Sequence, residues 1–461
     1  MCGIFGIYRH SEAANLAVHG LYALQHRGQE SAGVATCDGS HLHLVKGMGL
    51  VSEVFGNRDL SDLPGDSSIG HVRYSTSGSS HVRNAGPILA TTQHGEMALA
   101  HNGNLVNGLG LHEELEKQGA IFATTTDSEV ILHLFARSSQ PDPVDALVDS
   151  LLRLKGAFSL VMLMGNSLVA VRDPWGFRPL VLGDLAGSPV LASETCALDL
   201  LKAEYVREIR PGEVLIVSEK GVRSLFPFPK IAQVPCIFEY VYFARPDSDL
   251  FGRVVFPVRV AMGRKLAQER PVEADAVVPV PDSGVPAAIG YSEESGIPLL
   301  WGLIRNHYVG RTFIAPRQSV RDMSARLKLN PVRYLLQGKR VVLVDDSLVR
   351  GTTSRKIVRL VRDAGASEVH LRLSSPPIVN PCVYGIDTPE RSELVAANMD
   401  LASICAFVEA DSIGYLSPEG MHEAAGLQLG QACHACMGGE YPVRWTEPKG
   451  AQRLLFDKTH R

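Results

Sequence analysis

No apolar run in this chain reaches the roughly 18–20 residues that a membrane-spanning helix needs. A secretory leader is not expected either: Met1-Cys2-Gly3-Ile4-Phe5-Gly6 has neither a basic stretch nor a long apolar core. Charge of one sign is not in excess, because 45 Lys and Arg face 49 Asp and Glu, a formal net charge of −4. Such a chain generates no global basic field, so neither a nucleic acid nor a membrane surface is expected as a partner. Cysteine is sparse, eight in 461 residues, far below the density of a disulfide-stapled secreted domain. A reducing, cytoplasmic setting is therefore expected, in which each cysteine is a core filler, a metal ligand or a nucleophile. Internal repeats are absent too.

What is present is a globular composition, 45% apolar and 20% charged. At about 150 residues per domain the length corresponds to two or three domains. Short strands are predicted at 68–72, 96–101, 158–163, 168–172 and 214–217, with helices at 15–25 and 127–136. That density of strands suggests two packed sheets with flanking helices. The stretch Leu225-Phe-Pro-Phe-Pro-Lys-Ile-Ala-Gln-Val-Pro235 has three prolines in eleven residues and reads as an inter-domain connection. It divides the chain into domains 2–230 and 231–461. Beyond it, helix 256–269, strand 276–279, strand 340–344, helix 354–364 and strand 368–373 alternate, the pattern of a parallel sheet covered on both faces. The polar tail after Tyr441 is expected to wrap the surface.

Cys2 follows Met1 directly. Removing Met1 would leave a thiol beside its own α-amino group, whose ordinary pKa of about 7.7–8 suits a general base. Alone, this is equally a small apolar residue at a chain end. Gly70-His-Val-Arg-Tyr-Ser-Thr76 adds Arg73, a residue type suited to bidentate capture of a carboxylate, though a surface ion pair is the plainer role. His101-Asn-Gly-Asn104 ends a strand where the Asn102 amide and a backbone N–H could converge on an oxyanion. Asp127 opens a helix, as a ligand or simply as its N-cap.

Together with Cys2-Gly-Ile-Phe-Gly-Ile7 and Leu24-Gln-His-Arg-Gly-Gln-Glu-Ser-Ala-Gly33, these segments closely resemble the class II glutamine amidotransferase domain of the N-terminal-nucleophile hydrolases. The resemblance implies a four-layer αββα sandwich. It also implies roles: Cys2 attacks the glutamine side-chain amide, Asn102 and the Gly103 N–H hold the oxyanion, Arg73 takes the substrate carboxylate and Asp127 its amine. Members that carry an iron–sulfur cluster often have a short propeptide before this cysteine. Here methionine removal alone, or trimming of a longer precursor, would free the amine.

The sharpest motif is Val341-Val-Leu-Val-Asp345-Asp346-Ser-Leu-Val-Arg-Gly351-Thr352-Thr353-Ser354. Four apolar residues make a buried strand, and two acids stand at its carboxyl end, where open α/β sheets bind ligands. Gly351, two Thr hydroxyls and the positive end of the following helix form the parts of a phosphate cup. The adjacent acids suit a diol or a hydrated Mg²⁺. A second strand end, Val278-Pro-Val-Pro-Asp282-Ser283-Gly284, offers another oxygen-rich loop. Residues 305–330 carry Arg305, Arg311, Arg317, Arg321, Arg326 and Lys328 against Asp322, either a solvated basic face or a lid over pyrophosphate.

These segments resemble the type I phosphoribosyltransferases, and imply an α/β domain of that kind after the sandwich. With Tyr242-Phe-Ala-Arg-Pro-Asp-Ser248 and Gly310-Arg-Thr-Phe-Ile314, the whole chain resembles the amidophosphoribosyltransferase family. The implied reaction joins glutamine and phosphoribosylpyrophosphate to give 5-phosphoribosylamine, glutamate and pyrophosphate, opening de novo purine synthesis, with ammonia channelled between two sites. Asp345 and Asp346 would hold the ribose hydroxyls and Mg²⁺, Ser283 would complete the metal site, and Ser347, Arg350, Gly351, Thr352, Thr353, Ser354 and Lys328 would hold the phosphates. A homotetramer with purine-nucleotide feedback inhibitors is implied as well. The relatives that share only the glutaminase half fit less well; the Ser-Gly-Gly-x-Asp-Ser nucleotide loop of asparagine synthetases is absent. A regulatory sensor would not need the whole Cys2, Arg73, Asn102 and Asp127 set.

Cys433-His-Ala-Cys436 is a CxxC, open to redox use, to half a zinc site or to two ligands of an iron–sulfur cluster. The resemblance to the cluster-containing subgroup adds Cys236 and Cys382 as the other ligands and implies a structural [4Fe–4S] cluster. Cys37, Cys196 and Cys405 are left as core fillers.

Overall fold

The computed structural model describes residues 1–75, 78–306 and 329–444. In the first half a seven-stranded sheet runs in the order Glu204–Glu208, Val181–Leu185, Ser188–Ala192, Gly3–Ile7, Ser67–Arg73, Ser31–Cys37, Leu42–Met48. A six-stranded sheet runs Gly221–Leu225, Val214–Ser218, Ser167–Arg172, Gly156–Met164, Gly95–Leu105, Ile88–Thr92. Every residue of Gly3–Ile7, Ser67–Arg73 and Gly156–Met164 is buried, so these strands are covered on both faces. The period of two explains how. Ile4 and Ile69 meet Ala98, Val161 and Leu168 of the other sheet, while Phe5 and Ile7 pack under helices Ala13–Ala23 and Thr195–Leu201. On the opposite outer face, Leu99, Leu160 and Met162 pack under helices Ser128–Arg137 and Pro143–Leu151. The result is the expected helix–sheet–sheet–helix sandwich.

The second half is built on a parallel sheet in the order Ala276–Pro279, Arg340–Asp345, Glu368–Leu373, Ser412–Tyr415. Val342 and Val344 face helices Val255–Glu269 and Val285–Ser295, whereas Val341 and Leu343 face helices Thr352–Asp363 and Leu401–Val408. Apolar residues without alternation are what two covered faces demand. The helix predicted at 354–364 begins sooner, at Thr352, because Gly351 at φ +72° turns the chain there. The helix predicted at 15–25 is Ala13–Ala23 followed by a tight turn, Gln25–Arg27.

The proline-rich connection is anchored rather than free. Val234 N–H donates to Trp175 O at 2.9 Å, and Cys433 N–H donates to Pro235 O at 2.8 Å. Among the described residues no helix is long and apolar enough to cross a membrane. Leu343 is fully buried between two helix layers. Leu343→Ala is expected to destabilise the protein by about 2–5 kcal/mol, read as a lower denaturant midpoint.

Candidate active site

Cys2 leads into a central strand and is buried, as are the strand residues that follow. Its N–H donates to Asn102 Oδ1 at 3.3 Å and its carbonyl accepts from Arg27 Nε at 3.0 Å. The Asn102 side chain is fully buried, and with Oδ1 so engaged its Nδ2 has no partner. An unpaired buried donor costs about 1–3 kcal/mol, which makes Asn102 Nδ2 a candidate for work at the site. Gly103 adopts φ +154°, and a Cβ there would fall 2.0 Å from Ala157 O. Only glycine fits there, on the wall of the cleft that Cys2 also lines. Cys2, Arg73, Gly103 and Asp127 line one narrow cleft.

Two of the plainer sequence readings are corrected. Arg73 is no surface residue: it is buried, and Nη1 donates to Glu30 Oε1 at 2.8 Å. Glu30 in turn accepts from Ser75 N–H at 3.0 Å, so the guanidinium is aimed by a braced carboxylate. Asp127 precedes helix Ser128–Arg137 but does not cap it. Its Oδ2 instead accepts from Leu105 N–H at 2.8 Å, across from His101 at 4.0 Å. The carboxylate therefore faces the cleft. Sequence reasoning quoted Glu30 and His71 inside motifs without assigning them work. His71 lines the cleft with both ring nitrogens unpartnered, and burial pushes it down to about 3, keeping it neutral.

The second half reaches this cleft directly. Gly385 packs on Gly103 so tightly that a Cβ on Gly385 would lie 2.8 Å from the Gly103 carbonyl carbon. Asn104 Nδ2 donates to Val383 O at 2.9 Å beside it.

At the carboxyl end of the parallel sheet, Asp345 and Asp346 are both buried. Burial and then the Asp346 charge hold Asp345 well above the usual carboxylate range. Burial raises Asp346 too, against hydrogen bonds from Ser283 and Ser347 and the charge of Arg259. Ser283 thus meets the acid pair, as expected. Gly351, at φ +72°, turns the loop into the amino end of helix Thr352–Asp363, with Ser354 buried and Thr352 and Thr353 open. Arg350 is half exposed and ion-paired with Glu393 at 2.9 Å. Arg305 pairs with Asp282. Lys328 and the rest of the expected basic lid, 307–328, lie outside the described residues.

All eight cysteines are free thiols. Cys236 and Cys433 sit in adjacent bridged backbone, and Ile237 N–H donates to Cys433 O at 3.2 Å. Burial, with Cys382 and the other two thiols as neighbouring charges, raises Cys436 well above its ordinary value. Cys236 is pushed up to about 11, first by burial. The four thiols therefore share one electrostatic neighbourhood. Among the described residues, however, no three His, Cys, Asp or Glu side chains converge tightly enough to hold a single metal ion. Cys37 and Cys196 are buried fillers, whereas Cys405 is only half-buried, its Sγ 3.2 Å from Ala410 O.

Residues 71–200 match the glutamine amidotransferase domain family and residues 259–374 the phosphoribosyl transferase domain family. Amidophosphoribosyltransferase 1 of Arabidopsis thaliana, a chloroplastic protein, is 52% identical over 97% of this chain and 80% of its own length. The amidophosphoribosyltransferase of Methanocaldococcus jannaschii is 51% identical over 96% of this chain and 98% of its own. The chain belongs to the amidophosphoribosyltransferase family. It is a glutamine-dependent enzyme of the step that opens purine biosynthesis. The glutamine phosphoribosylpyrophosphate amidotransferase of Bacillus subtilis, solved with ADP and GMP, superposes with a TM-score of 0.93 at 46% identity, covering 98% of this chain and 100% of its own.

Two outcomes follow for this amidophosphoribosyltransferase. Gly385→Ala is expected to cut glutamine-dependent turnover about tenfold or more while sparing ammonia-dependent turnover, since its Cβ would displace Gly103. Asp345 is protonated more readily folded than unfolded, so its ionised form costs stability above its raised pKa and that cost fades as pH falls. Asp345→Asn is therefore expected to raise the melting temperature at pH 7 while abolishing pyrophosphate release. A lower melting temperature would contradict the repulsion.

Proposed function

We propose that the two sites run one reaction in sequence, with the chain divided as 2–230 for glutamine and 231–461 for phosphoribosylpyrophosphate. The observation that carries this reading is the gathering of Cys2, Gly103, Arg73 and Asp127 around one cleft, with Asn102 hydrogen-bonded to Cys2 and Gly385 of the second half packed on Gly103. Once Met1 is removed, the Cys2 amine takes the thiol proton as Sγ attacks the glutamine amide carbon. The unpartnered Asn102 Nδ2 and the Gly103 N–H receive the oxyanion, while Arg73 and Asp127 hold the substrate carboxylate and amine. The tetrahedral centre collapses to a thioester, the amine returns its proton to the departing nitrogen as ammonia, and water then releases glutamate.

Ammonia must reach the second site before water protonates it. A single apolar cluster supports a dry route: it contains Ile237, Phe238, Tyr240, Val342 and Val344, the last beside Asp345. At the cup, Asp345 and Asp346 hold the ribose hydroxyls, and Ser347, Gly351, Thr352, Thr353 and Ser354 surround the 5′-phosphate at a helix amino end. Arg350 and Lys328 are assigned to the phosphates by resemblance; Arg350 would first have to leave Glu393. Ammonia attacks C1, pyrophosphate departs, and the new amine sheds one proton.

Two buried carboxylates and a serine hydroxyl fit a hard divalent cation that takes its remaining ligands from water and phosphate. Mg²⁺ held by Asp345, Asp346 and Ser283 would neutralise charge on the leaving pyrophosphate. Cys236, Cys382, Cys433 and Cys436, buried or half-buried thiols in one electrostatic neighbourhood, would hold the [4Fe–4S] cluster that the resemblance to the cluster-containing subgroup implies. Its role is structural, since the reaction moves no electrons. A cytoplasmic homotetramer inhibited by purine nucleotides completes the reading; exposed Tyr205, Val206 and Tyr334 are available for subunit contacts.

The test is pyrophosphate release from phosphoribosylpyrophosphate with Mg²⁺ and either glutamine or ammonia. Cys2→Ala is expected to lose the glutamine reaction and keep the ammonia reaction; loss of both in a folded variant contradicts the two-site scheme. Anaerobic preparations should be brown and contain iron and sulfide. A colourless, iron-free and fully active enzyme rules out the cluster.

A further inference from the structure

Charged side chains from distant parts of the chain meet in one sealed cluster behind the nucleophile. Arg27, Arg178, Glu194 and Glu239 are all completely buried. Arg27 grips Glu239 with both terminal nitrogens, Nη1 to Oε2 at 3.1 Å and Nη2 to Oε1 at 2.9 Å. Its Nη1 also meets Glu194, and its remaining donor, Nε, holds the Cys2 carbonyl at 3.0 Å. Arg178 Nη1 donates to the same Glu239 Oε1 at 3.2 Å, while its Nη2 and Nε donate to Tyr384 O at 2.8 and 3.1 Å. Glu239 opens the helical turn Glu239–Phe243 in the second half, and Tyr384 precedes the Gly385 that packs on Gly103.

We propose that Glu239 is a positioning residue for the glutamine reaction, acting through Arg27 on the backbone of Cys2. A carboxylate gripped at both oxygens fixes the plane of a guanidinium, and that plane fixes the direction of the third donor. Here the third donor ends on the nucleophile's own carbonyl, so a carboxylate of the second half sets where the thiol stands relative to Asn102 and Gly103. An ion pair that only stabilised the interface would not need to touch the nucleophile's backbone. Glu194 cannot substitute alone, because its other oxygen is taken by Ser248 Oγ at 2.7 Å and Arg245 N–H at 2.9 Å. Without Glu239 the guanidinium is free to swing toward Glu194 and carry the Cys2 carbonyl with it. This proposal rests on the reading of Cys2 as the nucleophile.

The experiment compares Glu239→Gln, Glu239→Asp, Glu213→Gln and Cys2→Ala in the full-length holoenzyme. In Glu239→Gln the glutamine-dependent kcat is expected to fall about 10–100-fold with little change in KM for glutamine, while ammonia-dependent pyrophosphate release stays within about twofold. The rate at which a diazoketone glutamine analogue alkylates Cys2 should fall in parallel. Glu239→Asp, which keeps the charge, covers the case in which Glu239→Gln fails to fold and should show the same split to a smaller degree. Glu213 is equally buried and paired with Arg207 outside this cluster; Glu213→Gln should lower the melting temperature without splitting the two rates. Unchanged glutamine turnover in a Glu239 variant, or an equal fall of both reactions, overturns the proposal. Full glutamine turnover in Cys2→Ala would instead overturn the reading beneath it.

Discussion

The Arg27 guanidinium has no contact with water, and the carboxylates that make its burial tolerable come from both halves of the chain. Removing either partner leaves an uncompensated buried charge, a cost of about 3–5 kcal/mol. The sandwich and the parallel-sheet domain therefore cannot part along this seam without exposing charge, and the seam lies behind the nucleophile. The same seam includes Gly103 against Gly385 and the apolar cluster from Met1 to Val344. Rigid contact between two catalytic halves is thus a consequence of where these charges are paired.

A second constraint operates at the other end of the apolar cluster. Burial raises the proton affinity of both Asp345 and Asp346, and the Asp346 charge raises Asp345 further, an arrangement that costs stability while both are ionised. The glutamine cleft stores a similar cost in Asn102 Nδ2, buried without an acceptor. In the proposed scheme substrate relieves both costs, as at preorganised electrostatic sites. The rest of each half supplies rigidity: strands with both faces covered and, at the acid pair, a helix whose amino end is turned by Gly351.

Much of this was legible in the sequence because the chemistry needs particular residue types at fixed local spacing. Two acids after an apolar run and a Gly-Thr-Thr turn can be read from fourteen consecutive residues, 341–354. Cys2, Arg73, Asn102 and Asp127 each lie in a short recognisable phrase, and the sandwich brings them together. Long-range pairing was not legible. Arg27 and Glu239 are 212 residues apart, and each resembles an ordinary surface charge when read alone. Asp127 looked like a helix cap because local spacing cannot reveal that Leu105 N–H competes for its carboxylate. The ion pair of Arg350 was hidden for the same reason, since Glu393 lies 43 residues away. Local motifs announced the reacting groups; the groups that aim them are set by tertiary contacts.

Whether the two sites act as one enzyme is tested most directly by the fate of the transferred nitrogen. Glutamine labelled with heavy nitrogen in its side-chain amide is turned over near neutral pH beside a large excess of unlabelled ammonium, and the phosphoribosylamine is trapped. Nearly complete retention of the label is expected if ammonia crosses the dry seam between Cys2 and the acid pair. Label diluted to the composition of the bulk ammonium would contradict it.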